Sequence, residues 1–220
     1  MENYIKKHKR PIVAIDVAVF TIIDNDLKVM LAPREREPFK GNLALVGGFV
    51  NVDETFDAAV KRFLRAKAGI TDLYTEQLYT FGAIDRDPRD RVISIAYYAL
   101  VKPEHLEQRK NAHLLSVKKI KDLPFDHCDI LRYAVQRLKG KITYSTIVFT
   151  LLPKLFTLVE LRRIYETVLD KKLDRSNFRR KILSRGIIKK TDRKRKNETD
   201  RREPFLYTFT GKLGDEINLF

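Results

Sequence analysis

The sequence predicts an α+β protein in two units, an α/β/α sandwich followed by a smaller unit of helices closed by a hairpin. Three observations carry this. β-Branched runs and one amphipathic helix alternate up to about residue 139, whereas helices dominate after Gly140 and give way to two short β-prone stretches. Basic charge also collects in the second part: residues 141–220 hold 20 Lys and Arg against 10 Asp and Glu, and the first 140 hold 24 against 19. The units are therefore placed at residues 1–139 and 140–220.

The first unit opens at Pro11 with IVAIDVAVFTII, a β-branched run, and Asp24-Asn25-Asp26 turns it into LKVMLA, so the two read as a hairpin of buried strands. Further strands are expected in TEQLYTFGAI (75–84) and VISIAYYALV (92–101). Between these pairs an amphipathic helix places Phe56, Ala59, Val60, Phe63, Leu64 and Lys67 on one broad face. A helix from Cys128 to Lys139 is expected to end at Gly140.

In the second unit, Thr157-Leu158-Val159-Glu160 is a capping box, in which hydroxyl and carboxylate satisfy orphan amides at the start of LRRIYETVL. Asp174 can cap RSNFRRKILS, which turns Phe178, Ile182 and Leu183 inward, and Gly186 stops it. Residues 187–191 and 205–209 are β-prone and bracket DRKRKNETDRREP, a connection too polar for a core. Helix, helix, helix and hairpin with a basic tip is the order of a winged helix-turn-helix domain.

Composition bounds the partners. With 220 residues, 44% of them hydrophobic, and no apolar run long enough for a membrane helix, a globular protein is expected. The charged start MENYIKKHKRP lacks a signal-peptide cleavage pattern, which points to the cytoplasm. Cys128 is the only cysteine, so no internal disulfide framework or zinc cluster is available, and a buried thiol is expected. The net charge of +15, concentrated in the second unit, suits a polyanion.

A helix entering the major groove offers Arg to guanine and Asn to adenine edges, while a basic wing holds phosphates. The outer face of the predicted recognition helix is Arg175, Ser176, Asn177, Arg179, Arg180 and Lys181, with Ser176, Asn177, Arg179 and Arg180 as base readers. Arg193, Lys194, Arg195, Lys196, Arg201 and Arg202 supply the wing. Double-stranded DNA is the expected partner.

Residues 48–70, GFVNVDETFDAAVKRFLRAKAGI, hold Gly48, Glu54, Arg62, Leu64, Gly69 and Ile70 at the spacings of a Nudix box and resemble it. That box marks enzymes cleaving nucleoside diphosphates linked to another group. Its three remaining glutamate positions, i, i+3 and i+4 on one helix face, could hold Mg²⁺ against a pyrophosphate. Here they are Phe63, Ala66 and Lys67, which cannot. A pocket that recognises a nucleotide without cutting it is expected, with no catalytic residue and no metal; Glu54 is expected to cap the following helix.

Residues 144–183, with EPFLYTF at the hairpin's close, resemble the carboxy-terminal domain of Nudix-related transcriptional regulators, and EPFKGNLALVGGFVNVDE, EQLYTFG and RDPRDRVISIAYYALV resemble their amino-terminal domain. The similarity runs from about residue 10 to residue 210. It implies a homodimeric repressor on a palindromic operator, whose Nudix-like domain senses ADP-ribose or a related nucleotide to control NAD metabolism. A related branch responds to pentoses such as arabinose, and an ADP-ribose pyrophosphatase with an appended nucleic-acid module is the rival class. The resemblance further implies ligand contacts at Arg34, Arg36, Phe39, Gly47, Gly48, Phe49, Arg86 and Arg89 and no resident cofactor. Leu43 and Val46 depart from the family's Trp and Pro.

Overall fold

The computed structural model describes residues 10–69, 73–106, 113–195 and 203–217. Strands β1 (Ile12–Ile23) and β2 (Asp26–Pro33) form the expected antiparallel hairpin. Asp24 and Asn25 make its turn at φ 55° and 57°, the left-handed pair that a two-residue turn needs to match strand twist. Strand β1 also runs parallel to β6 (Val92–Leu100), which pairs antiparallel with β5 (Tyr74–Phe81). Short strands β3 (Leu43–Ala44) and β7 (His113–Ser116) pair with β2, and β4 (Val46–Phe49) pairs with β1.

Side chains alternate across β1. Ile15, Val17 and Val19 pack with Ala59, Val60, Phe63 and Leu64 of helix α1 (Phe56–Ala68). Ala18 and Phe20 face the other way, toward Ile130, Leu131, Ala134 and Leu138 of α2 (His127–Tyr144). One helix on each face makes the expected α/β/α sandwich.

Several local expectations are corrected. Gly140 does not end α2, which continues to Tyr144. A glycine inside a helix costs about 1 kcal/mol relative to Ala, and burial of Leu138 and Ile142 on either side offsets it. The residue 139/140 boundary therefore falls inside a helix. Phe56 is at the first position of α1 and is exposed, and Lys67 points outward to pair with Glu35. Strand β5 ends at Phe81, leaving Ile84 outside the sheet and exposed. Cys128 is half-buried rather than buried, and burial pushes its thiol up. Ile70 lies outside the described residues.

The second unit begins with a 3-10 segment, Thr146–Leu151, in place of a first α-helix. Helix α3 (Leu158–Leu169) starts at the capping box: the Glu160 amide donates to Thr157 Oγ1 at 3.1 Å, and the Thr157 amide donates to Glu160 Oε2 at 2.7 Å. Helix α4 (Arg175–Ser184) starts at Asp174, whose Oδ1 accepts the Asn177 amide at 2.7 Å. It buries Phe178 and Ile182; Leu183, about 100° further round the helix, is exposed. Strands β8 (Ile188–Lys194) and β9 (Phe205–Phe209) form the wing, whose tip lies outside the described residues. Leu161, Tyr165 and Phe178 join the same buried cluster as the α2 face of the sheet, so one core runs through both units. Among the described residues no helix is long and apolar enough to cross a membrane.

Candidate functional site

A cleft opens where β4 pairs with β1, between the segments that follow β2 and β5 and the turn leading into α2. Two glycines allow the close packing there. A Cβ on Gly47 would sit 2.1 Å from the Ile15 carbonyl oxygen, and one on Gly48 would sit 2.7 Å from the Phe63 ring.

The cleft floor is a buried polar network on the interior strands β1 and β6, Arg86 and the start of α2. Asp16 accepts from Ser94 Oγ at 2.6 Å and from Arg86 Nη2 at 3.2 Å, and faces His127 Nε2 at 3.3 Å. His127 Nδ1 accepts the Leu45 amide at 3.1 Å, which leaves Nε2 to carry the proton pointing at Asp16. Burial alone would raise the Asp16 carboxyl, but His127, Ser94 and Arg86 together outweigh it and hold the carboxyl well below the usual range.

Three arginines line the cleft, and each is already engaged. Arg86 is buried and forks onto Asp126, Nε to Oδ2 at 2.8 Å and Nη2 to Oδ1 at 2.7 Å. Arg89 forks onto Asp87 at 2.9 and 2.6 Å, with its guanidinium 4.9 Å from the Phe49 ring and 5.5 Å from that of Phe125. Arg34 donates Nε to the Pro38 carbonyl at 2.8 Å and lies 4.5 Å over the Phe125 ring. Guanidinium forks beside glycine-rich backbone have the chemistry to receive an anion in place of these carboxylates.

The structure thus brings together Arg34, Gly47, Gly48, Phe49, Arg86 and Arg89. It leaves Arg36 and Phe39 off the lining: Arg36 offers its carbonyl to Arg34 Nη2 at 3.3 Å, and Phe39, at φ 67°, meets Phe125 edge-on at 5.1 Å. Asp16, Asp87, Phe125 and His127 were missed. An acid inside the apolar run of β1 signals Asp16, and Asp87 lies within RDPR itself. Phe125 and His127 carry no local signal.

Where a Nudix enzyme keeps carboxylates, this chain has a hydrophobic and cationic surface. Phe63 is buried against Gly48 with Arg62 stacked 4.2 Å above its ring, Ala66 is exposed, and Lys67 pairs with Glu35. Glu54 accepts from Arg62 and from the Asn51 amide; the cap of α1 is Thr55, whose Oγ1 accepts the Ala58 amide at 3.2 Å. These residues do not fit Mg²⁺, and among the described residues no group of three His, Cys, Asp or Glu is placed to hold a metal.

On the second unit, α4 exposes Arg175, Ser176, Asn177, Arg179 and Arg180, with Arg180 Nη2 donating to Asn177 Oδ1 at 3.1 Å; Lys181 is half-buried. Arg193 and Lys194 project from the wing, and Lys190 sits 3.4 Å over the Phe205 ring. Arg195 departs from the expected wing surface: it turns back onto Glu160 and onto the Leu155 carbonyl at 3.3 Å. Lys196, Arg201 and Arg202 lie outside the described residues.

A sandwich with the Nudix frame and an arginine-lined cleft, continuous with a winged helix whose reading face is basic, defines a regulator class that joins a Nudix domain to a DNA-binding domain. The NUDIX domain family matches residues 13–138, and the NrtR DNA-binding winged helix domain matches residues 148–209. The chain belongs to the NrtR family of Nudix-type transcriptional regulators.

The chain is 36% identical over 191 residues, 83% of its length and 76% of the relative's, to the ADPR responsive transcriptional repressor NtrR of Acinetobacter baylyi. It also resembles the crystal structure of Shewanella oneidensis NrtR complexed with a 27mer DNA, at 30% identity and TM-score 0.82, covering 90% of this chain and 93% of that one. The cocrystal structure of the NUDIX domain of the same protein with ADP ribose matches at 30% identity and TM-score 0.54, covering 60% of this chain and 92% of that one.

Proposed function

We propose that the protein is a transcriptional repressor of NAD-metabolism genes that binds operator DNA through α4 and the wing and senses ADP-ribose, without cleaving it, in the Nudix cleft. The observation that carries this reading is the pairing of an arginine-lined cleft with a helix that has Phe63, Ala66 and Lys67 where metal-binding glutamates belong. The names of its relatives support the same reading.

In this reading Arg34, Arg86 and Arg89 bind diphosphate oxygens, Gly47 and Gly48 let the ligand approach backbone, and Phe49 faces a ring of the ligand. Residues 1–139 sense and residues 140–220 read, with α2 crossing between them. The protein acts in the cytoplasm as a homodimer whose two α4 helices address the half-sites of a palindromic operator. If ADP-ribose binds better to the form with poorly placed α4 helices, operator affinity falls by the coupling factor, and DNA weakens ADP-ribose binding equally.

Thermal unfolding with ADP-ribose, NAD and arabinose side by side, followed by incubation of ADP-ribose with Mg²⁺, tests the assignment. The midpoint rises with ADP-ribose, because only a ligand of the folded state stabilises it, and no AMP is released. A rise with arabinose alone, or release of AMP and ribose 5-phosphate, contradicts it.

A further inference from the structure

One helix joins the cleft to the DNA-reading unit. α2 starts at the cleft, where His127 lies in the floor, and its last turn is fastened to the second unit. There the Ile217 amide donates to the Tyr144 carbonyl at 2.5 Å, and in the residues that follow the Thr146 amide donates to the Asp215 carbonyl at 3.0 Å and Thr146 Oγ1 to the Lys212 carbonyl at 2.8 Å. The reading unit shares its core with α2, so a shift of α2 moves it.

The start of α2 is built unlike those of α1, α3 and α4. Each of those begins with a side chain capping its own helix, whereas Asp126, at the same position of α2, makes no such bond. Its carboxylate is turned to Arg86 instead. Phe125, just before it, is held at φ 58°, a left-handed conformation that non-glycine side chains rarely adopt and that surrounding contacts must maintain. Those contacts include the guanidinium groups of Arg34 and Arg89 and the edge-on ring of Phe39.

The cleft is also small. Its volume is about 60 Å³, whereas sites that enclose ligands of this size class are roughly 300–1,000 Å³. A diphosphate seated in it must therefore displace lining side chains, and the donors that suit phosphate are the same arginines that hold Phe125 and Asp126. Arg86 keeps a second carboxylate, Asp16, on its inner side, so losing Asp126 would not leave it unpaired.

We propose that Phe125 and Asp126 are positioning residues that carry occupancy of the cleft to the winged helix: a diphosphate ligand draws Arg34 and Arg89 off the Phe125 ring and Arg86 off Asp126, and α2, loosened at its first turn, changes the pose of the DNA-reading unit. This rests on the reading of the cleft as an ADP-ribose site. It has a signature that structural damage lacks. If binding breaks the Arg86–Asp126 fork, a protein without the fork binds ligand more tightly and passes less of that binding on to DNA.

The test uses the full chain, titrated with ADP-ribose by calorimetry and with operator DNA by fluorescence anisotropy, each with and without the other. Asp126→Asn is expected to bind ADP-ribose several-fold more tightly, while the ratio of operator dissociation constants with and without ADP-ribose falls toward one. Weaker ADP-ribose binding, or a ratio equal to that of the unmodified protein, overturns the proposal. Hydrogen exchange on the unmodified protein gives a second reading that does not depend on the variant: amides 127–131 exchange faster in the ADP-ribose complex, and unchanged or slower exchange overturns the proposal. If the unmodified protein neither binds ADP-ribose nor responds to it on DNA, the functional assignment itself fails; a responsive protein whose Asp126→Asn form responds equally defeats only this relay.

Discussion

Arg195, just past the end of β8 on the tip side of the wing, closes an ion pair on Glu160, whose other carboxylate oxygen accepts the Thr157 amide in the capping box of α3. One carboxylate thus fixes both where α3 begins and how the wing sits against it. The Arg195–Glu160 pair is about one-third exposed on each side, so on its own it contributes at most ~1 kcal/mol to stability, and its value lies in the wing's orientation.

Substitution at Glu160 separates the two roles. Glu160→Gln keeps an oxygen acceptor for the Thr157 amide and loses the ion pair; unfolding should stay near that of the unmodified protein while operator affinity falls. Glu160→Ala loses both and should also lower stability by about 1 kcal/mol. Thermal unfolding and operator titration distinguish them, and equal operator affinity for all three proteins would show the wing does not need the anchor.

The two halves of the DNA surface should fail differently. Arg179→Ala, on the exposed face of α4, is expected to cost ~1–3 kcal/mol on the cognate operator and to relax specificity. Lys194→Ala, on the wing, should weaken all sequences about equally and reduce the salt slope by about 1. Competition titrations at several salt concentrations read both. A sequence-independent loss for Arg179→Ala would move the reading face elsewhere on α4.

Gly48 and Phe63 should be energetically coupled, because a Cβ on Gly48 would meet the Phe63 ring at 2.7 Å. Gly48→Ala alone should destabilise by about 1–3 kcal/mol through overpacking, and Phe63→Leu should relieve much of that. A double-mutant cycle by urea unfolding measures the coupling; strict additivity would mean that the ring does not fill this space.

Acid sensitivity should trace to Asp16. Its carboxyl is held below its ordinary value in the folded protein, so the stability it contributes is complete above the unfolded value near 3.9 and is lost as pH falls toward the lower folded value. Asp16→Asn should cost roughly 3 kcal/mol at neutral pH and should flatten the loss of stability as pH falls below about 4. Urea midpoints across that range decide it, and an unchanged slope would assign the acid sensitivity to other carboxylates.

Much of the fold was legible because its causes are local. The β1–β2 turn, the Thr157 and Asp174 caps and the exposed arginines of α4 follow from residues a few positions apart. What the sequence hid depends on distant partners. Gly140 stays helical because Leu138 and Ile142 are buried beside it, and Arg195 faces inward because Glu160, 35 positions away, receives it. The cleft was half legible: its glycines and arginines lie in recognisable runs, whereas Phe125 and His127 reach it from the start of a helix far along the chain. Arg36 and Phe39 were expected in the cleft from the family resemblance, but the turn after Arg34 directs them elsewhere.

In the proposed function, ADP-ribose and operator DNA compete through one protein. The most direct test is anisotropy of labelled DNA from upstream of NAD-biosynthesis genes, titrated with the full chain at a fixed physiological salt concentration, with and without ADP-ribose, since phosphate contacts make affinity steeply salt-dependent. Sequence-specific binding that ADP-ribose weakens, with intact ADP-ribose recovered afterwards, is the predicted result. Operator affinity unaffected by ADP-ribose, or ADP-ribose recovered as AMP and ribose 5-phosphate, would contradict the account.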